Sequence, residues 1–301
     1  MALTILMSAS LGLSVMAAAA SPEPPPPKLR GGQDLFDQGR LLATGGVTTV
    51  EGAGGGGLVP WATITGYGTA DAMGINAHAT VVDTDDYRLE TAGVALGLFD
   101  RVEVSYAHQW FDTKDVGAAL GLGAGYRIEQ DIFGVKLRLF GELVYDQATL
   151  MPQVSIGAQY KKNNRGDLLA AIGAGDDEGV DYYVSATKLF LAESLLANVT
   201  LRYTKANQFG ILGFGGDLND DYEFQFEGSL AWLLDRHFAI GAEYRSKPNN
   251  LGIAVEDDAW DLFAAFFPSK NLSITIAYAD LGNIVIRDRQ RGAYLSLQAG
   301  F

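Results

Sequence analysis

The 301-residue sequence contains no cysteine. That removes thiol nucleophiles, thiolate metal sites and disulfides from the chemistry open to it. Histidine is scarce: only His78, His108 and His237 are present, so any acid–base site must be assembled from few parts. Basic residues are outnumbered, 22 Lys and Arg against 36 Asp and Glu, for a formal charge of −14. Such a chain repels phosphate backbones, which excludes nucleic acid as a partner. Beyond the N-terminus there is no unbroken apolar run of the about 20 residues that a membrane helix requires.

Apolar residues are nevertheless plentiful, at 48% of the chain. A β-barrel hides its apolarity from a search for long runs, because lipid-facing and lumen-facing residues alternate along each strand. The N-terminus reads as an export signal over residues 1–20. Leu3 to Met16 are apolar or small, and Ala17 to Ala20 supply the small residues of a cleavage site. No Lys or Arg precedes Ala20, so the usual basic start is missing. Residues 21–60 form a Pro- and Gly-rich segment. It runs through Pro22-Glu23-Pro24-Pro25-Pro26-Pro27, a short helix expected over 34–42, and Gly52-Ala53-Gly54-Gly55-Gly56-Gly57. This segment is a candidate plug for the mouth of a barrel formed by the rest of the chain.

From Trp61 onward, strand-like runs alternate with turns. Val102, Val104, Tyr106 and Trp110 oppose Glu103, Ser105, Ala107 and Gln109. The same two-residue rhythm recurs at 133–139, 154–160, 199–204, 222–234, 238–245 and 272–279. It is blurred around 87–98, 182–190 and 259–267. Tight connections at Asp100-Arg101, Asp235-Arg236 and Pro268-Ser269-Lys270 alternate with long polar stretches at 112–130, 161–181, 205–221, 246–258 and 280–290. Short turns on one side and long loops on the other are how bacterial outer-membrane barrels are built. The expected architecture is therefore all-β. Residues 61–301 form a transmembrane antiparallel up-and-down barrel of about twelve strands, with periplasmic termini. A count of about fourteen stays open if Val47–Glu51 and Trp61–Thr69 each add a strand. Trp110, Tyr160, Tyr203, Tyr244 and Tyr278 stand at the ends of apolar faces, where an aromatic belt would meet lipid headgroups. The last strand places Leu295, Leu297, Ala299 and Phe301 on one face, which resembles the sorting signal read by the outer-membrane assembly machinery.

The stretch from Leu41-Leu42-Ala43-Thr44-Gly45-Gly46-Val47 through Gly54-Gly55-Gly56-Gly57-Leu58-Val59-Pro60-Trp61-Ala62 resembles the opening of an uncharacterised proteobacterial family, domain of unknown function 3034. Gly66-Tyr67-Gly68-Thr69 and Ile132-Phe133-Gly134-Val135-Lys136 are similar to its pattern as well. The resemblance implies location and architecture; it carries no activity over to any residue.

Candidate sites come from the alternation. Glu103, Lys136, Arg138, Arg202, Glu223, Glu227, Glu243 and Arg245 all fall on the polar phase, so they are expected to line the lumen. Facing hydrocarbon at the midplane, each basic one would cost about 2–4 kcal/mol. Mixed signs suit either a weakly selective pore or a salt-bridged filling. Gly52–Gly57 formally matches a dinucleotide-binding glycine pattern, but Pro60-Trp61 and a strand come after it where a helix is needed. A hydrolase would require His78 to work with Asp83, Asp85 or Asp86, the one arrangement of histidine and carboxylates worth testing. The acidic clusters in the long loops read as solvated charge, and no metal or cofactor is expected. The composite expectation is a passive, porin-like outer-membrane channel for small polar solutes in a Gram-negative bacterium. It would contact membrane lipid and lipopolysaccharide. A closed structural or surface-binding barrel and an outer-membrane hydrolase are the alternatives.

Overall fold

The computed structural model describes Arg40 and residues 47–301. The export signal, the proline run and all but Arg40 of the helix expected over 34–42 lie outside the described residues. Twelve antiparallel strands form a closed barrel. They are β1 Met73–Thr84, β2 Arg88–Leu98, β3 Val102–Asp112, β4 Arg127–Phe140, β5 Gln153–Asn163 and β6 Glu178–Phe190, followed by β7 Leu195–Thr204, β8 Glu223–Leu233, β9 Phe238–Arg245, β10 Ala259–Ser269, β11 Leu272–Asp280 and β12 Arg291–Gly300. Each strand pairs with its sequence neighbours, and β1 closes the ring on β12 in a register running from Asn76↔Gly300 to Thr84↔Gly292. Closure leaves no strand edge unpaired.

The two phases of each strand differ as the alternation requires. Val104, Phe133, Val199, Phe226, Ile276 and Leu297 point outward and are about half exposed, whereas Glu103, Lys136, Gln159, Arg202 and Glu227 point inward and are buried. A water-soluble domain inverts this distribution; here the apolar surface is the outer one. Near the loop end, outward aromatics touch ring to ring, as in Tyr203–Phe224 at 4.8 Å and Trp260–Tyr278 at 5.9 Å. Their hydroxyls reach loop-side carboxylates: Tyr160 donates to Glu178 at 2.8 Å, and Tyr244 donates to Asp258. An apolar ring with a polar tip suits this boundary.

One end of the barrel carries most of the tight turns. Phe99 and Asp100 both adopt positive φ, 55° and 52°, and Arg101 N donates to Leu98 O at 2.9 Å. That is a hairpin turn whose twist matches the flanking strands. The exception at this end is the segment 141–152, which folds Leu143 and Val144 inward onto Leu189, Leu196 and Ala231. The opposite end carries the long loops, including the short helices α1 Val116–Ala119 and α2 Gly166–Ala171.

The barrel wall begins at Met73, so two sequence expectations need correction. Trp61–Thr69 is not a strand: Ala62, Ile64 and Tyr67 are buried inside the ring. Val47–Glu51 adds none either, contributing only an isolated bridge from Thr48 to Gly54. The wall count is twelve, not fourteen.

Candidate functional site

The lumen is occupied by the chain's own segment 47–69, which enters and leaves at the turn end. Near that end Arg40 ion-pairs with Asp100 and donates to Ile64 O at 2.5 Å. The segment then reverses: Thr49 N donates to Ala53 O at 2.8 Å, and Gly52 sits at φ 87°, where glycine is unstrained. The following glycines allow a close approach to the wall. A Cβ on Gly56 would run into the Glu243 carboxylate, and one on Gly55 into Val59 O.

The plug's backbone polar groups are satisfied partly within the plug, as where Val50 N donates to Gly57 O at 2.9 Å, and partly by inward side chains of the wall. Gly54 N and Thr65 N donate to the two oxygens of Glu103, at 2.8 and 2.9 Å. Lys136 donates to Gly54 O at 2.7 Å and Thr63 O at 2.9 Å. Leu58 N donates to Glu243 Oε2 at 2.7 Å, and Pro60 O accepts from Thr200 at 2.7 Å and Ser185 at 3.1 Å. Ala62 N donates to Thr187 Oγ1 at 2.7 Å, and Ala62 O accepts from Ser155 at 2.6 Å.

At the tip of the plug, Glu51 sits in a buried ionic layer. Arg245 donates to it at 2.7 Å, Lys161 ion-pairs with it, and Arg202 lies at 3.7 Å. The same cations also hold wall carboxylates: Lys161–Asp181 at 2.6 Å, Arg202–Asp181 at 3.2 Å, Arg245–Glu227 at 3.2 Å, and Arg202 with Glu227. Burial by itself would raise the Glu51 carboxyl, but Arg245, Lys161 and Arg202 outweigh it and hold the group well below the ordinary carboxylate range.

Above this layer the loop between β7 and β8 folds into the mouth. Phe209 lies under the Arg245 guanidinium at 4.2 Å, Lys161 donates to Phe209 O at 3.0 Å, and Asn163 donates to Gly210 O at 2.6 Å. Gln208 and Phe209 take positive φ, 44° and 62°, to make this approach. Together with Val50, Leu58 and Val59 of the plug, Phe209, Ile211 and Leu212 build an apolar core within the loop end. The central lumen is thus filled by plug and side chains, and its loop-end mouth is covered.

The eight charged residues expected to line the lumen separate into groups. Arg202, Glu227 and Arg245 join the ionic layer; Glu103 and Lys136 pair at 3.1 Å beside Gly54; Glu243 holds Leu58. Arg138 lies at the turn end, paired with Asp100 and Glu142. Glu223 stands exposed at the loop end, accepting from Asn219 at 2.9 Å, and does not join the buried set. Three members of the ionic layer were missed from sequence: Glu51, Lys161 and Asp181. Extending the rhythm of β5 past Gln159 would have found Lys161, and that of β6 back from Tyr183 would have found Asp181. Leu295 and Leu297 face outward, and Phe301 O accepts from Ile75 N at 2.9 Å and Tyr67 N at 3.0 Å.

The three histidines lie apart. His78 is buried in the lumen with Nδ1 3.0 Å from Thr48 Oγ1, while Asp83 and Asp86 pair with Lys114 and Arg287. His108 faces outward, Nδ1 2.8 Å from Asp131, which also accepts from Tyr106 at 2.7 Å; Ser105 is buried on the opposite face. His237 donates from Nδ1 to Phe267 O at 2.7 Å. Among the described residues no histidine meets a serine hydroxyl.

Several solved barrels resemble the fold at low identity. A KdgM porin shares 9% identity over 76% of this chain and 99% of its own, with a TM-score of 0.46. A NanC porin shares 12% over 75% and 98%, with a TM-score of 0.47. Outer membrane phospholipase A from Escherichia coli shares 10% over 78% and 94%, with a TM-score of 0.42. No curated protein sequence matches. The family model described as "Protein of unknown function (DUF3034)" matches residues 44–298, which includes both the plug and nearly all of the wall, and the chain belongs to that family.

Proposed function

We propose that this protein is an outer-membrane barrel of a Gram-negative bacterium whose polar lumen is closed at rest by its own N-terminal segment, and that small polar solutes pass once that segment withdraws. The observation that carries this reading is the wall-to-wall engagement of residues 47–69, with Glu51 at the centre of the ionic layer. The half-exposed apolar outer face supports insertion in a bilayer, since exposing it to water would be costly. In this orientation the turn end and both chain termini face the periplasm, after export by the N-terminal signal and insertion by the assembly machinery. The long loops face lipopolysaccharide. With the plug gone, Lys161, Arg202 and Arg245 remain against Asp181 and Glu227, which would leave the constriction weakly anion-selective. The reading is non-enzymatic, and the separation of the histidines supports it.

The second reading, a permanently closed barrel with a structural or surface-binding role, is favoured by the density of buried ion pairs around Glu51. Planar-bilayer recordings of the full chain and of a variant lacking residues 21–65 separate the two. Steady conductance confined to the shortened variant supports the plugged channel. Silence in both, with the variant verified as folded by heat-modifiability, supports the closed barrel. Equal conductance in both would reject the plug.

A further inference from the structure

The inward face of the barrel is largely polar through its middle and turns apolar toward both ends. On the β7–β10 side of the turn end, Leu233, Phe263 and Phe267 turn inward and face Trp61 of the plug across a cavity of about 50 Å³. At the inner end of this cavity stands Asp261, paired in register with Glu243 on the adjacent strand. Both carboxylates are buried, and neither is in an ion pair among the described residues. Glu243 spends its oxygens on Leu58 N at 2.7 Å and Ser229 Oγ at 2.7 Å. Asp261 Oδ1 has no hydrogen-bond partner, and neither has Thr275 Oγ1, which lines the same cavity.

A buried acceptor without a partner is costly, and two adjacent buried carboxylates without a cation are costlier still. Unpartnered neutral side-chain atoms occur elsewhere in the lumen, at Gln130 and His78 among others, but each carboxylate of the ionic layer has its base. Among the described residues, Asp261 is the buried carboxylate with an oxygen that has neither a hydrogen-bond nor an ion-pair partner. The walls say what would fill it. A bare metal ion needs several oxygen ligands, whereas this chamber presents Asp261 and Thr275 among aromatic and aliphatic side chains. A group with a cationic hydrogen-bond donor at one end and a short apolar body matches both the acceptor and the walls.

We propose that this chamber is a binding site for a small primary ammonium with an apolar tail, its head on Asp261 and its tail against Phe263 and Trp61. The site lies outside the ionic layer, and the docked plug forms one of its walls through Trp61. The test uses the folded full chain in detergent, titrated by calorimetry with n-butylammonium, n-butanol and n-butyrate, and separately with sodium and calcium chloride. Saturable binding of n-butylammonium alone is expected, weakened by about tenfold or more in Asp261→Asn, with heat-modifiability unchanged. Phe263→Trp, which fills the cavity and leaves the carboxylate in place, should abolish it. The proposal is overturned if n-butylammonium fails to saturate the wild-type protein, if n-butanol or n-butyrate binds as well, if a metal ion alone occupies the site, or if Phe263→Trp binds as the wild type does. Should Asp261→Asn not fold, the ligand series on the wild type together with Phe263→Trp still decides the matter.

Discussion

Replacing Glu51 by Gln removes one charge from the ionic layer and almost no volume, so it isolates the electrostatic grip on the plug. In the wild type, Lys161, Arg202 and Arg245 face Glu51, Asp181 and Glu227, three of each sign. The substitution leaves three cations against two carboxylates. Breaking a buried pair by removing one partner costs about 3–5 kcal/mol. The lower end applies here, because Lys161 keeps Asp181 at 2.6 Å and Arg245 keeps Glu227 at 3.2 Å, so no cation is orphaned. A loss of about 3 kcal/mol raises the undocked fraction of the plug by roughly two orders of magnitude. Amide hydrogen exchange in detergent reads that fraction directly when opening and closing are fast. The amides of Thr49, Gly54, Leu58 and Ala62, bonded to Ala53 O, Glu103, Glu243 and Thr187, should exchange faster by roughly that factor. Wall amides in β7 should keep their rates. Unchanged plug exchange would refute the assignment of Glu51 as its anchor, and equal acceleration of plug and wall would mean that the two are one cooperative unit.

The depressed Glu51 carboxyl sets a pH window for the same contact. It contributes its stability in full above the unfolded value near ~4.3 and loses it as pH falls toward its lower folded value. Plug protection should therefore persist from pH ~7 down to ~5 and fail only in stronger acid; loss between those two values would contradict the ion-pair account. Val199→Arg, on the outer face of β7, should destabilise the barrel in lipid vesicles by about 2–4 kcal/mol in urea titrations, and a neutral result would deny that this face meets hydrocarbon. Gly56→Val should loosen the plug without opening the wall, because its Cβ meets the Glu243 carboxylate; exchange rates at 54–58 equal to wild type would count against that packing.

The wall was legible because its outer phase carries apolar runs: Val102, Val104 and Tyr106 in β3, or Leu272, Ile274 and Ile276 in β11, announce a half-buried strand by themselves. The plug was less legible. Trp61–Thr69 alternates like a strand, yet Ala62, Thr63 and Thr65 give their backbone groups to Glu103, Thr187, Ser155 and Lys136. Periodicity reports which faces are apolar and is silent on whether the backbone's partner is another backbone or a ring of side chains. For the same reason the glycine run could be read as a turn or a plug, but its passage against Glu243 could not be foreseen.

The blurred strands share one physical cause. In β2, Leu89 turns inward to pack in the apolar core beneath the loops; in β6, Tyr183 turns inward under the Arg202 guanidinium at 5.3 Å; in β10, Phe263 and Phe267 turn inward to wall the turn-end cavity. Each strand loses its rhythm where the lumen stops being water-like and becomes protein interior. An open, water-filled pore would have kept its inward phase polar along the whole length of every strand. The places where alternation fails are thus themselves a sign of a filled barrel, and they map where the filling is apolar: loop-end core, arginine platform, turn-end chamber. Of the three, the chamber is the one that among the described residues holds a buried acidic group without a base, and β10, one of the three blurred strands, carries it at Asp261.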